Sequence, residues 1–411
     1  MENKVYKNST ELMNLHGQPI YLSDIADACL YGRLNLFLQG DTGTGKTQLA
    51  RDAMGYFGDK SMFVLGRNDM DTRELFQQIN PAVLKAIREG KYSGEELKSL
   101  TDKVDYHLTV VDELPNCVPA VRAQLFNLFD GFIEINGKPY PIGNGYSVGI
   151  ATGNIGQKFT ESSNELGRAL KDRMHVTVDV DYFSPKASDS LDILAKSTNP
   201  RVEFDKANQD NSKEIIDRHG ELVSREIPLE KLMIANYLLH GLDYCDTGEH
   251  SKRKMKDLWP TGLEDHEQVS DVGLVLPVSP RAAKSILRLS QALDDVAERK
   301  GATREQIEQG YFGSMMQAYK FVAAYSGVLN DSAVHNNFGG DKYKALDDII
   351  TTTKTQYDGQ SENIAAGLEM VAKGKTNAKV LDLFQGRWQF MKDTLEGIVS
   401  MNFQENKQGA I

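Results

Sequence analysis

The chain has 411 residues and a formal net charge of −11, and 40% of its residues are hydrophobic. A chain of this length is longer than one hydrophobic core usually serves, so we expect two or three domains. The excess of acidic residues argues against a surface that binds polyanions in general. The three cysteines are far apart in the sequence, so we expect no disulfide framework, which fits a reducing cytoplasm.

Targeting and membrane segments are not indicated by the sequence. Residues 1–10 are polar and lack the apolar stretch of a secretory signal peptide. No run approaches the roughly 20 apolar residues that a helix needs to span a bilayer. We therefore expect a cytoplasmic protein without a membrane partner.

Up to about residue 182, short apolar runs rich in branched residues alternate with stretches of helical character. Such alternation is typical of a parallel sheet covered by helices. It predicts an α/β domain at 1–182. The runs interpreted as strands are 34–38, 62–65, 107–111, 146–151 and 175–180.

From about residue 184 onward the strand pattern disappears and the sequence indicates helices. The polar interval 196–271 is interpreted as an insertion that contains one helix. We expect a helical second domain at 183–330, which includes this insertion, and a helical tail at 331–411. The helices predicted in the second domain are 227–240, 279–299 and 303–325.

A glycine-rich turn follows the first strand of the predicted sheet. Residues 40–47 read Gly-Asp-Thr-Gly-Thr-Gly-Lys-Thr and match the phosphate-loop pattern. Lys46 would place a cation near the β and γ phosphates, the Thr47 hydroxyl can bind Mg²⁺, and the helix that starts here directs its positive end at the anion. The strand before and the helix after the turn disfavour a chance match. The predicted nucleotide-binding residues are Gly40, Asp41, Thr42, Gly43, Thr44, Gly45, Lys46, Thr47 and Gln48.

Two further predicted strands end in polar residues that could take part in nucleotide hydrolysis. Residues 107–113 form an apolar run that ends in Asp112 and Glu113. After a valid phosphate loop, this pair predicts that Asp112 lies beside the Mg²⁺ and that Glu113 polarises the attacking water. Residues 148–154 form another apolar run, which ends at Asn154. This amide could hold the water or the γ-phosphate, or it could be an ordinary residue at a strand-to-turn junction.

These three motifs, in this order, resemble those of the AAA+ ATPases, and among them the MoxR family. The resemblance covers roughly residues 21–194 and is most specific at 111–130, where the acidic pair leads through a proline-containing turn into a helix with regularly spaced leucines. Residues 132–142 resemble the hairpin that precedes the sensor strand in this clade, and 71–105 occupy the place of its helix-2 insertion. The resemblance implies a P-loop NTPase core followed by an α-helical lid.

The resemblance also implies three arginine roles. Arg168 and Arg173 lie where the family has an arginine finger, which acts on the nucleotide of a neighbouring subunit. At least one of the two is expected to form a structural ion pair instead. Arg281, in the stretch Ser-Pro-Arg-Ala, matches the family's second sensor in the lid.

By resemblance, the chain is expected to hydrolyse ATP with Mg²⁺, to assemble with itself into a ring, as a hexamer, and to act as a chaperone that remodels or activates a partner protein. A protein with a von Willebrand factor A domain is the partner type common in this family. One alternative is a nucleic-acid motor that uses basic residues such as Lys138 and Lys158, which the acidic net charge disfavours. Another is an assembly module that binds ATP without turnover, which the intact Glu113 disfavours.

Overall fold

The structure is a computed structural model that describes residues 5–70, 106–135, 138–154, 173–196, 210–243 and 271–408. The chain divides into two compact units. The first comprises Met1–Arg225 and Gln291–Thr303, and the second comprises Glu226–Ser290 and Arg304–Ile411. The insertion predicted at 71–105 lies outside the described residues.

The first unit contains all the strands of the described residues, and they belong to three sheets. The strands are β1 Glu11–Leu15, β2 Gln18–Tyr21, β3 Leu36–Gln39, β4 Ser61–Leu65, β5 Leu108–Asp112, β6 Phe132–Ile135, β7 Lys138–Pro141, β8 Val148–Gly153 and β9 Val176–Asp179. The helices of this unit are α1 Leu22–Gly32, α2 Lys46–Phe57, α3 Pro119–Phe129, α4 Ala187–Lys196 and α5 Ser212–Ser224.

The main sheet has five parallel strands in the order β4-β5-β8-β3-β9. Every residue of β3, β5 and β8 is buried, as expected of central strands that are covered on both faces. The sequence prediction of an α/β domain with a parallel sheet is therefore confirmed. The runs interpreted as strands agree with β3, β4, β5, β8 and β9 to within a few residues at each end.

Helix α3 packs on the sheet through its apolar face. Leu125 and Phe129 are buried in a cluster that also contains Phe37 and Val111 of the strands. The ring of Phe129 approaches β8 so closely that a Cβ on Gly149 would lie 2.2 Å from it. A glycine near the start of this strand thus makes room for the helix.

Two paired strands lie between α3 and β8, at the position of the predicted hairpin. Strands β6 and β7 pair antiparallel, with Phe132 opposite Pro141 and Ile133 opposite Tyr140. The Asn-Gly turn expected at 136–137 lies outside the described residues.

The sequence predicts one helix in the interval 196–271, but the described part of this interval contains two, α5 and a helix at Leu229–His240. Helix α5 was not predicted, and it belongs to the first unit. Ser212, Ile215 and Leu222 of this helix are buried, and the last two lie seven residues apart on one face. Its position is also supported by charge, since Arg218 makes two hydrogen bonds of 2.9 and 3.0 Å with the fully buried carboxylate of Asp295.

The described part of the second unit is helical, as predicted. Where the sequence predicts one helix over 303–325, the structure has two, because the helix is interrupted at Gly310. Within the described ranges, no helix is long and apolar enough to cross a membrane. The helices from here to the end of the chain are α6 Leu229–His240, α7 Asp271–Leu274, α8 Pro280–Arg299, α9 Arg304–Gln309, α10 Tyr311–Ala323, α11 Asp331–Phe338, α12 Lys342–Asp358, α13 Ser361–Ala372, α14 Ala378–Leu381 and α15 Phe390–Gln408. Helix α8 begins in the second unit and ends in the first.

Candidate active site

The phosphate-loop sequence lies between β3 and α2, at the edge of the sheet where the parallel strands end. Ligands of α/β proteins generally bind at this edge. Gly40, Gly43 and Gly45 have φ angles of +149°, +81° and +83°, which side chains with a Cβ rarely adopt. The loop can therefore curl around a central point, with the first turn of α2 beginning at Lys46.

The Lys46 side chain is folded back into this loop. Its Nζ donates to the carbonyl oxygens of Gly40 and Asp41 at 2.9 and 2.5 Å, and to Thr44 Oγ1 at 3.3 Å. Burial lowers the pKa of the ammonium group below its ordinary value, and the carboxylate of Asp181 is the largest of the charges that oppose this shift. The loop thus holds a cation at its centre, where an anionic ligand would gain most from it.

Two threonines converge on Asp112, the last residue of β5. Thr47 Oγ1 donates to the Asp112 carboxylate oxygens at 2.9 and 3.1 Å, and Thr152 Oγ1 of β8 donates to Oδ1 at 2.5 Å. Asp112 is 8% exposed. Hydroxyl and carboxylate oxygens are the hard ligands that Mg²⁺ prefers, and it usually keeps several waters besides. Thr47 and Asp112 therefore fit the magnesium site that the sequence predicts.

Glu113 adopts an unusual backbone conformation, with φ +56° and ψ +43°. Its N–H donates to Thr152 Oγ1 at 3.1 Å, and its Oε2 accepts from Asn116 Nδ2 at 2.8 Å. A Cβ on Gly66 would lie 2.3 Å from the Glu113 carbonyl oxygen. The left-handed conformation costs roughly 1–3 kcal/mol for a residue other than glycine. The surrounding contacts therefore fix the backbone of Glu113 at the sheet edge, and Asn116 orients its exposed carboxylate.

Thr152 is a functional candidate that the sequence reasoning did not assign. Its single hydroxyl donates to Asp112 and accepts from the Glu113 backbone, and the residue is 1% exposed. It joins the carboxylate that would hold the metal to the residue that would activate water. Thr152 stands two residues before Asn154, and alternation along an extended segment places two such residues on the same side, a signal that could have found it.

Of the remaining residues predicted for the site, some lie at the same sheet edge and others lie elsewhere in the chain. Asn154 follows β8 directly and is half-buried at the same sheet edge. Gln48 Nε2 donates to Asp52 on its own helix at 2.9 Å. Arg281 is exposed at the beginning of α8, in the second unit. Arg168 lies outside the described residues.

Arg173 forms an intramolecular ion pair. Its Nε donates to Asp130 Oδ2 at 2.7 Å, and its guanidinium carbon lies 5.2 Å from the centre of the Phe126 ring. Both ion-pair partners are partly exposed, with 24% and 30% of their side chains accessible. The expectation that one of the two candidate arginines forms a structural pair thus applies to Arg173. A guanidinium has five N–H donors, so this pair does not by itself exclude a second anion.

Comparison with known proteins points to the same part of the chain. Residues 35–174 match the family model of the AAA domain, dynein-related subfamily. No curated protein matches the chain. Among solved structures, a candidate ATPase from Cytophaga hutchinsonii is similar, with a TM-score of 0.56 and 16% identity, over 81% of this chain and 88% of the other. A full-length MCM homolog from Methanopyrus kandleri has a TM-score of 0.44 and 10% identity, over 74% and 55%. The first likeness concerns the fold, and the second is too weak to assign anything.

Proposed function

Residues 35–174 of this chain form an AAA domain with a P-loop NTPase fold, and from that premise we propose that the protein is a magnesium-dependent ATPase that works as a ring. One observation carries the proposal: beside a glycine-rich loop that holds Lys46, Thr47 donates to Asp112, and Thr152 joins Asp112 to the backbone of Glu113. A domain that only bound nucleotide would need the loop and the lysine. It would not need a second carboxylate, that of Glu113, beside the metal-binding residues.

The residues divide the work as follows. Lys46 binds the β and γ phosphates of ATP, and the N–H groups at the start of α2 bind phosphate oxygens. Thr47 and Asp112 would hold Mg²⁺, which neutralises phosphate charge when bound. Glu113 orients and polarises a water for attack on the γ-phosphate, and Thr152 and Asn116 keep it in position. Asn154, at the end of the neighbouring strand, is proposed to help place the same water.

Phosphate release by the purified chain tests this function. We expect steady turnover with ATP that stops when a chelator removes the magnesium and returns when excess Mg²⁺ is added, because Thr47 and Asp112 present metal-binding oxygens. Binding of a fluorescent ATP analogue, measured in parallel, separates binding from hydrolysis. Tight binding without any release would leave the assembly-module function in place of the ATPase function.

We propose assembly into a ring because Arg173, shortly before β9, lies where the AAA+ family has its arginine finger. A finger acts on the nucleotide of the next subunit, so activity per subunit should rise with protein concentration as rings form. Arg173→Ala is expected to bind ATP normally and to lose about 10³-fold or more in turnover at any concentration, the scale known for such arginines. The measurement is steady-state phosphate release over a concentration series, with sedimentation velocity to follow assembly.

Mixing two inactive variants gives a sharper result. In a mixed ring, an intact phosphate loop from an Arg173→Ala subunit meets an intact Arg173 from a Lys46→Ala subunit. Partial recovery of activity on mixing is the expected outcome. Arg173→Lys is the matched variant, since it keeps a charge but loses the planar fork. Wild-type turnover by Arg173→Ala would assign Arg173 to its ion pair with Asp130 alone.

We further propose that the client is a protein rather than a nucleic acid. The net charge of −11 disfavours binding to polyanions. The resemblance to MoxR-type proteins supports a chaperone role, with a von Willebrand factor A domain protein as the type of partner. Hexameric assembly rests on the same resemblance.

A further inference from the structure

The first turn of the phosphate loop is bound from outside by Asp181, a residue that the sequence reasoning did not assign to the site. The N–H of Asp41 points at the carboxylate of Asp181, and its distances to Oδ1 and Oδ2 are 2.9 and 2.8 Å. Asp181 lies two residues beyond the end of β9, the edge strand beside β3. One backbone donor of the loop is therefore shared between two oxygens of a single side chain.

The two segments are in close contact at Gly40. A Cβ on Gly40 would lie 2.8 Å from Asp181 Oδ1 and 3.3 Å from its backbone nitrogen. Gly40 also has a φ of +149°, which a side chain would oppose independently of space. The loop and the turn after β9 thus fit against each other at this point.

The turn that carries Asp181 is itself fixed to the sheet. Asp179 Oδ1 accepts from the N–H of Asp181 at 3.0 Å, and Asp179 Oδ2 accepts from Gln39 Nε2 at 3.1 Å. Gln39 is the last residue of β3, directly before the loop, and it is paired with Asp179 in the strand register. The N–H of Val180 adds a bond of 2.8 Å to the Gln39 carbonyl. The position of Asp181 is consequently determined by the ends of two paired strands.

We propose that Asp181 is a positioning residue for the phosphate site, which fixes the first turn of the loop from the edge strand so that the loop is shaped before a nucleotide binds. This inference rests on the proposed function, because it concerns the same loop. Preorganisation of this kind strengthens binding by removing the cost of ordering the loop in the complex. The carboxylate is exposed, so its contribution comes from the hydrogen bonds to the backbone.

Charge and hydrogen bonding have opposite effects at this position, which makes them separable. A carboxylate close to Lys46 stabilises the ammonium group, in line with its effect on the lysine pKa, but it also repels incoming phosphates. Asp181→Asn keeps an acceptor for the Asp41 N–H and removes the charge. Asp181→Ala removes both. A positioning role requires that the asparagine rescue what the alanine loses.

The test compares these two variants with the full-length wild type. For Asp181→Ala we expect the Kd of a fluorescent ATP analogue and that of ADP to rise together by about tenfold or more, as when a hydrogen bond to a charged group is lost. Asp181→Asn should bind both nucleotides as tightly as the wild type or more tightly. Turnover at saturating ATP should change little in either variant, because Glu113 is untouched. Asp217→Ala is the matched control, since it removes an exposed carboxylate paired only with Lys213 among the ion pairs of the described residues.

Hydrogen–deuterium exchange without nucleotide gives an independent readout. In Asp181→Ala the peptide that contains residues 40–45 should exchange faster than in the wild type, whereas Asp217→Ala should leave it unchanged. Wild-type affinity and wild-type exchange in Asp181→Ala would overturn the proposal. An Asp181→Asn variant that binds nucleotide as weakly as Asp181→Ala would overturn it as well. If the wild type binds no ATP, the proposed function fails, and the exchange comparison still decides the role of Asp181. Thermal unfolding of each variant shows whether it is folded. If Asp181→Ala is misfolded, Asp181→Asn decides: faster exchange at residues 40–45 than in the wild type would overturn the proposal, and wild-type exchange would support it.

Discussion

Glu113→Gln is expected to bind Mg-ATP and to release phosphate about 10²–10⁴-fold more slowly than the wild type, the range for loss of a positioned general base. The amide keeps the shape of the side chain and can still accept from Asn116. It loses the negative charge that polarises water. Because the backbone of residue 113 is held by Thr152 and Gly66, the substitution should not disturb the metal-binding residues.

The measurement pairs steady-state phosphate release with nucleotide binding on the same protein. Glu214→Gln is the matched control, because Glu214 is an exposed glutamate on α5. We expect the control to hydrolyse ATP at the wild-type rate. Near wild-type turnover by Glu113→Gln would move the catalytic role to another residue and would leave the left-handed backbone at this position without a chemical explanation.

Lys46→Ala is expected to abolish tight nucleotide binding, with a Kd for ATP that rises by about 10²–10³-fold, as when one member of a buried charge pair is removed. Lys46 is 8% exposed and bonds three oxygens of the loop. Its loss removes the cation that faces the phosphates and also the bonds that close the loop. Both effects lower the affinity for ATP.

Titration of a fluorescent ATP analogue into the variant tests this prediction. Lys213→Ala is a suitable control, because Lys213 is exposed and pairs with Asp217 on the surface of α5. Unchanged affinity in Lys46→Ala would exclude residues 40–47 as the phosphate-binding loop. Thermal unfolding should show whether the loss of three loop contacts also lowers the stability of the first unit.

The parts of the site that the sequence revealed are those whose chemistry is local. The loop of glycines, Lys46 and Thr47 is contiguous, and Asp112 and Glu113 end an apolar run that could be recognised as a strand. Parallel strands end at a common edge, so their approach followed from the fold class. The five parallel strands and the hairpin at β6 and β7 were predicted for the same reason, since each depends on short-range pattern and turn chemistry.

The parts that the sequence did not reveal depend on pairings between distant segments. Thr152 meets Asp112 and Asp181 meets Asp41 only because β8 and β9 lie where the strand order places them. No local pattern fixes that order. Helix α5 was not predicted; it places Ile215 and Leu222 on a buried face, and Arg218 joins it to a buried carboxylate of the distant helix α8. The pairing of Arg173 with Asp130 likewise joins two segments that no motif relates.

The position of β3 in the middle of the sheet has a consequence for synthesis of the chain. Both partners of this strand, β8 and β9, come much later in the sequence, so a nascent chain that has just exposed the phosphate loop has nothing to pair it with. Pairing over such separations is slow and leaves apolar strands exposed in the meantime. The turn at Asp181 emerges from the ribosome last of these elements. We therefore expect affinity for nucleotide to be acquired only when the sheet is complete, so ATP would favour chains translated beyond Asp181 over shorter ones.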